Sequence, residues 1–239
     1  MTLFAAIDAT WPPLAYHSVG PFTLREGQSG GQRVSAATCE RPVTEIEIAR
    51  AEEGMAALGQ NALFMIRGDQ PGLDDQLAAL GYRIKDPVTV MTARANQVAG
   101  DGPGRARAFP VWPALAIQRE IWATGGIGPE RVAIMDRTLG PKATILGRVG
   151  DAPAGTAFVA LHGTTAMMHA VEVLKKFRRR GCAVDMTRGA AKWALGQGAE
   201  TFAILTTSEN SPAIGVYSSL GLRPVGQYHY RVRPGLKPS

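Results

Sequence analysis

Hydrophobic and polar positions alternate along this chain in short blocks that predict mixed helix and strand. Near the amino terminus, 32–39 (QRVSAATC) reads as a strand. The segment 44–58 (TEIEIARAEEGMAAL) is rich in Ala and Glu and reads as a helix, with Thr44 as its N-cap and Gly59 as its stop. A buried-type strand is expected at 62–66 (ALFMI), a helix closed by Gly81 at 73–80, and a further strand at 88–93. Beyond Pro113 a helix runs through ALAIQREIWAT, and a second follows at 129–137. Three extended segments come next, at 144–149, 156–161 and 166–174, joined by the turn-forming GDAPAG and HGTT. Helices at 186–195 and 212–220 then alternate with strands at 202–206 and 225–232. The order β-β-β-α-β-α-β indicates an α/β domain with a mixed sheet.

Between these halves, 99–107 (AGDGPGRAR) is Gly-rich and polar, and reads as a linker. The expected division is therefore a domain at 1–98, a linker at 99–109 and a domain at 110–239. A shift of 140 positions also lays one half on the other. Asn61 to Met65 falls on Thr201 to Leu205, and Leu80-Gly81-Tyr82-Arg83 falls on Leu220-Gly221-Leu222-Arg223. Both copies read strand, loop, short helix, Leu-Gly, strand, and the unbroken register favours duplication.

Composition narrows the function. At 239 residues and 45% hydrophobic, the chain can bury a substantial core and is too apolar for disorder. No apolar run reaches the ~20 residues a bilayer span needs, and no signal-peptide pattern opens the chain. Two cysteines, Cys39 and Cys182, form no disulfide framework, so a cytoplasmic location is expected. The formal net charge is +6. Seven basic residues between Lys175 and Lys192, against Asp185 alone, carry an equal charge, which marks a local anion site. No basic helix face or aromatic platform accompanies the run, so nucleic acid is not the expected partner. His17, His162, His169 and His229 lack metal-ligand spacing, and no metal site is expected.

The most informative stretch is 167–192 (MMHAVEVLKKFRRRGCAVDMTRGAAK). A strand runs into a basic loop, then Gly181, then a helix of small residues. Unpaired N–H groups and the positive helix end converge there on one point, where an anion is favoured. The stretch has neither the GxxxxGK[ST] of a phosphate loop nor the GxGxxG of a dinucleotide fold. Arg178, Arg179, Arg180, Gly181, Cys182 and Ala183 match R/Q-x-x-G-x-G/A, a signature of the GNAT acyl-CoA N-acyltransferase superfamily. Downstream, Asn210, Ala213 and Tyr217 with Gly221-Leu222 are similar to the family's N-x-x-A-x-x-x-Y-x-x-x-G-F block, with Leu222 in place of the usual Phe. The resemblance covers roughly 110–232. The first half would be a degenerate second copy, because 38–43 (TCERPV) lacks the glycine and the arginine cluster.

The resemblance implies an N-acetyltransferase, an acyltransferase of groups other than aminoacyl groups, with acetyl-CoA as cosubstrate. Backbone N–H groups from Arg179 to Ala183 would hold the pyrophosphate, with Arg178, Arg179 and Arg180 adding charge. The strand Val171-Glu172-Val173 would line the pantetheine arm, with the Val173 N–H polarising the thioester carbonyl. Asn210 would contact that arm or order its loop, and Tyr217 would protonate the departing thiolate. A base for the acceptor ammonium is desirable but not obligatory. His169 shares strand parity with Val171 and Val173 and is one candidate. Glu172 points to the other face unless a bulge reverses it. Cys182 reads as a small residue filling a tight helix start rather than a nucleophile. The acceptor is expected to be a primary amine of a small molecule or peptide, with a homodimer as a possible assembly and the oligomeric state left open. A non-catalytic CoA-binding regulatory module is the alternative.

Overall fold

The computed structural model describes residues 3–68, 70–100 and 107–233. The chain opens with α1 (Leu3–Thr10), β1 (Ala15–Val19), β2 (Phe22–Glu26), β3 (Thr38–Cys39), α2 (Glu45–Ala57), β4 (Leu63–Arg67) and α3 (Pro71–Ala79). It continues through β5 (Arg83–Arg94), α4 (Ala95–Ala99), β6 (Ala108–Val111), α5 (Ala116–Thr124) and α6 (Pro129–Arg137). The remainder is β7 (Lys142–Val149), β8 (Ala152–His162), β9 (Thr165–Val173), α7 (Cys182–Gly196), β10 (Thr201–Thr207), α8 (Ser211–Ser219) and β11 (Arg223–Val232). Short 3₁₀ turns occupy Gln32–Val34 and Lys175–Phe177.

Two compact units result, and neither is a continuous stretch of chain. The first comprises Met1–Trp11, Val90–Thr206 and Asn210–Val225; the second comprises Pro12–Thr89, Thr207–Glu209 and Gly226–Ser239. A cut at 99–109 therefore does not coincide with this division. Both α1 and α4 belong to the first unit, and the end of β11 belongs to the second. Of the expected linker, 101–106 lie outside the described residues, while Ala99 closes α4 and Ala108 opens β6.

In the first unit the strand order is β5-β10-β9-β8-β7-β6. The strands β7, β8 and β9 form an antiparallel meander, and α7 then carries the chain to β10, which pairs parallel with β9. One side of this sheet packs on α7 through Cys182, Met186, Ala190 and Ala194, a stripe of mostly small side chains at helical spacing. The approach is close. A Cβ on Gly147 of β7 would lie 2.8 Å from the Cys182 Sγ, and one on Gly155 of β8 would lie 3.0 Å from the Met186 Cε. Both α1 and α5 pack against β8 and β9.

The second unit pairs β1, β2 and β3 antiparallel, and contains the order β4-β11-β5. Its core joins Phe22, Leu24, Ile48, Met55, Phe64 and Leu77. The N-terminus of α2 follows the sequence closely. Thr44 accepts from the Glu47 N–H and Glu47 answers to the Thr44 N–H, a capping box. The expected strand at 32–39 does not form: a 3₁₀ turn takes its first part, and only Thr38 and Cys39 pair with β2. No expectation covered α1, β1 or β2.

An ion cluster in this unit has a testable consequence. Asp74 Oδ1 accepts from Arg231 Nε at 2.6 Å and lies 2.8 Å from His229 Nε2. Arg231 foremost, with His229, holds the Asp74 carboxyl below its ordinary value. A carboxylate depressed in this way stabilises the fold above its unfolded pKa and loses that contribution as pH falls through its folded pKa. Asp74→Asn is therefore expected to lower the Tm at neutral pH, with the deficit narrowing below about pH 4. Thermal melts of both proteins across pH check this, and a deficit that persists in acid refutes it.

Candidate active site

The site is built around an irregularity in β9. Facing β8, Phe158 lies opposite His169, but Thr156 lies opposite Glu172. Two steps along β8 thus match three along β9, so β9 carries one extra residue, a bulge. Ala170 takes up the distortion with φ of +50°. A bulge reverses the parity of everything beyond it. Ala166 and Met168 face the α7 core before it, and Val171 and Val173 pack on that same core after it. The expected shared parity of His169 with Val171 and Val173 is therefore corrected. His169 shares its face with Glu172 instead.

The same bulge parts two strands. Parallel pairing of β10 with β9 runs from Thr201↔Thr165 to Ile204↔Met168, although β9 continues to Val173 and β10 to Thr207. Past the bulge, Leu174 N–H donates to Ala154 O of β8 at 2.9 Å. Main-chain groups alternate along a strand. The N–H groups of Leu174 and Glu172 accordingly face β8, and those of Val173 and Val171 face the opening toward β10.

Downstream, the 3₁₀ turn Lys175–Phe177 leads to Arg178, Arg179 and Arg180, all exposed. Arg178, though exposed, is bonded back to the end of β9. Its Nε donates to Val173 O at 3.0 Å, and its Nη2 lies 3.3 Å from Glu172 Oε1. It ties down the strand end, where added phosphate charge was the expectation. Arg179 has φ of +64° and Gly181 φ of +83°, and this reversal aims the chain into α7. Gly181, the N-cap, supplies no side-chain cap, so the first N–H groups of α7 retain their positive end. A Cβ on Gly181 would meet no atom within 4 Å, so the space beside this glycine is open. The arrangement suits a phosphate group.

Beside it lies a cleft of about 600 Å³, lined by Thr124, Gly125, Glu172, Leu174, Lys175, Lys176 and Arg178. Glu172 is its carboxylate. A Cβ on Gly125 would lie 2.5 Å from the Glu172 carboxyl, so the carboxylate lies close against the end of α5.

The other expected residues take varied places. Tyr217 of α8 is buried in the apolar cluster that contains Cys182, with Val171 and Val173 packed against it. Burial pushes its phenol up to about 12. Cys182 lies beneath the loop, and burial, with Asp185, pushes its thiol up to about 11, far from a thiolate nucleophile. Asn210 is the N-cap of α8, its Oδ1 accepting from Ala213 N–H at 3.2 Å, so its side-chain oxygen orders the helix start.

His169, the candidate base, lies in an aromatic core. It is 4% exposed, with its Nε2 2.9 Å from Thr10 Oγ1 and its ring 5.1 Å from that of Trp11. The Thr10 hydroxyl also lies 2.7 Å from Ala6 O, so it sits between the helix carbonyl and the imidazole. His169 is an aromatic-core residue fixed by α1, a contact spanning 159 positions that no local pattern signals. His169→Phe is expected to preserve turnover and to lower stability by about 1 kcal/mol for the lost hydrogen bond. Loss of turnover in a folded variant reinstates His169 as the base.

Two buried residues of α5 escaped sequence reasoning as parts of the site. Gln118 Nε2 donates to Thr156 Oγ1 at 3.1 Å, and Trp122 Nε1 donates to Ala170 O at 2.7 Å. Their four-residue spacing places both on one helix face; it does not reveal that this face meets a bulge.

Residues 115–222 match the sequence profile of the acetyltransferase (GNAT) family. An uncharacterized N-acetyltransferase of Bacillus subtilis strain 168, YobR, is 25% identical, the match covering 94% of this chain and 95% of that protein. A GCN5-related N-acetyltransferase from Kribbella flavida shares the fold with a TM-score of 0.69 at 18% identity, over 98% of this chain and 94% of that one. A tandem GNAT protein from the clavulanic acid biosynthesis pathway aligns with a TM-score of 0.59 at 15% identity, over 82% of this chain and 74% of that one. The likeness to the acetyltransferase (GNAT) family thus lies in residues 115–222, and the relative that aligns over nearly the whole chain is likewise named an N-acetyltransferase. Among the described residues no helix is long and apolar enough to cross a membrane, and no cluster of three or more His, Cys, Asp or Glu could hold a metal ion.

Proposed function

We propose that the first unit transfers an acetyl group from acetyl-CoA to a primary amine of a small molecule or peptide. The observation that carries this reading is the opening of β9 from β10 past Met168, next to the open helix start at Gly181. Bound acetyl-CoA supplies an activated thioester. The N–H groups from Arg179 to Ala183 hold its phosphates, and Arg179 and Arg180 add charge. The Val173 N–H faces the thioester oxygen and stabilises the charge that develops there. Glu172 takes the proton of the acceptor ammonium, directly or through water, because only the neutral amine can attack. The new C–N bond forms as the C–S bond breaks; Tyr217 gives its proton to the thiolate, and the proton that the nitrogen sheds on becoming an amide restores the phenol. His169 has no part in these steps.

Duplication supplies the second part of the proposal: the remainder of the chain is a degenerate GNAT-like copy. Shifted by 140, α3 (Pro71–Ala79) falls on α8 (Ser211–Ser219), and Gly81 (φ +84°) falls on Gly221 (φ +90°). The starts of β5 and β11, Arg83 and Arg223, coincide as well.

Calorimetry with acetyl-CoA, followed by an assay of CoA release across a broad panel of amines, tests the reading. Binding with turnover on one amine class supports it. Binding without release on any amine marks a non-catalytic CoA-binding module, and no binding overturns both.

A further inference from the structure

We propose that Trp122 is a positioning residue that holds the β9 bulge, and with it the acyl-CoA edge of β9, in its working shape. The functional half of this inference rests on the acetyl-CoA reading above; the structural half stands on geometry alone.

A left-handed alanine inside a strand costs about 1–2 kcal/mol. Something must offset that cost if Ala170 is to hold φ of +50°. The bulge turns the Ala170 carbonyl out of the β8–β9 ladder, and it receives the indole N–H of Trp122 at 2.7 Å. Trp122 is 0% exposed, so the indole would be left with a buried, unpaired donor if β9 were regular. Regularising the strand thus costs a hydrogen bond, and the bulge is held by that penalty.

Gln118 makes this a clamp. One turn before Trp122 on the same face of α5, it donates to Thr156, the residue opposite Glu172. One contact is made at the distorted residue Ala170 and the other at Thr156, across from Glu172 just beyond it. At the end of α5, Gly125 adds a third point, where the Glu172 carboxyl lies against the helix terminus. Positions 118, 122 and 125 have the spacing of one helix face. Through them α5 sets three properties of β9 together: the place of the extra residue, the side on which Glu172 emerges, and the point where β10 stops pairing.

The test compares Trp122→Phe with Ile121→Val. The control weakens packing of the same helix and leaves the indole in place, since Ile121 is a buried neighbour on α5. Two readouts are taken on the full chain: amide hydrogen exchange of the 168–174 segment, and acetyl-CoA affinity by calorimetry. Trp122→Phe is expected to speed exchange and weaken acetyl-CoA binding by about tenfold each, the equivalent of one lost hydrogen bond. Ile121→Val is expected to change neither. Unaltered exchange in Trp122→Phe overturns the proposal, as does an equal response in the control. Faster exchange with unaltered affinity overturns its functional half. If the wild type binds no acetyl-CoA, the acetyltransferase reading falls, and the exchange comparison still decides whether Trp122 holds the bulge. Should Trp122→Phe fail to fold, benzothienylalanine at position 122 replaces the N–H by sulfur at nearly constant shape and carries the same comparison.

Discussion

Tyr217→Phe is expected to lower kcat by about a hundredfold or more, the usual contribution of a positioned general acid. The KM for acetyl-CoA should change little. The phenol is 7% exposed, and burial pushes its pKa up to about 12, so it is protonated throughout the neutral range. It can donate to a departing thiolate without first having to acquire a proton. Phenylalanine keeps the ring in the apolar cluster and removes one oxygen, so the melting temperature should hold. Steady-state kinetics beside a thermal melt separate the outcomes. An unchanged kcat removes Tyr217 from the proposed mechanism, and a fall explained by unfolding leaves the melt as its record.

The second large effect is expected at Gly181. Gly181→Val should weaken acetyl-CoA binding by about tenfold or more, at least ~1.4 kcal/mol. Valine at φ of +83° is strained, and its branches would stand in the open space beside the start of α7. Strain alone would not distinguish a ligand site from a helix cap. Gly198 supplies the control, with φ of +88° and likewise nothing within 4 Å of an added Cβ, just beyond the other end of α7. Calorimetry should find Gly181→Val impaired and Gly198→Val unimpaired. Equal affinities would dissociate the Gly181 turn from the ligand.

Local chemistry was legible in the sequence, and long-range consequences were not. The Thr44 cap needs only a hydroxyl and a glutamate three residues on, and α2 begins where that pair predicts. Helix α6 is bounded by Pro129 and Arg137 as expected, since proline at a first turn is a local signal. The turn through Arg179 and Gly181 into α7 was likewise written in adjacent residues. The bulge was different. Nothing in TAMMHAVEV distinguishes a regular strand from one with an extra residue, because the distortion is decided by an indole 48 positions away. Once it is present, the parity that favoured His169 over Glu172 is reversed. Arg178 differed for a related reason. As part of a basic run before Gly181 it reads as charge for a phosphate, and only the folded strand end offers it the Val173 carbonyl.

The interleaving of the two units bears on how such a chain can change over generations. A crossover at the 99–109 stretch would separate β4 from the part of β11 that pairs with it, and His169 from the Thr10 hydroxyl. Each product would inherit a sheet or a core with a piece missing. Under the duplication proposed above, a doubled chain whose strands were traded in this way ceases to be divisible. A degenerate copy can then lose its own chemistry without being lost itself, because the chain that still carries the chemistry cannot shed it.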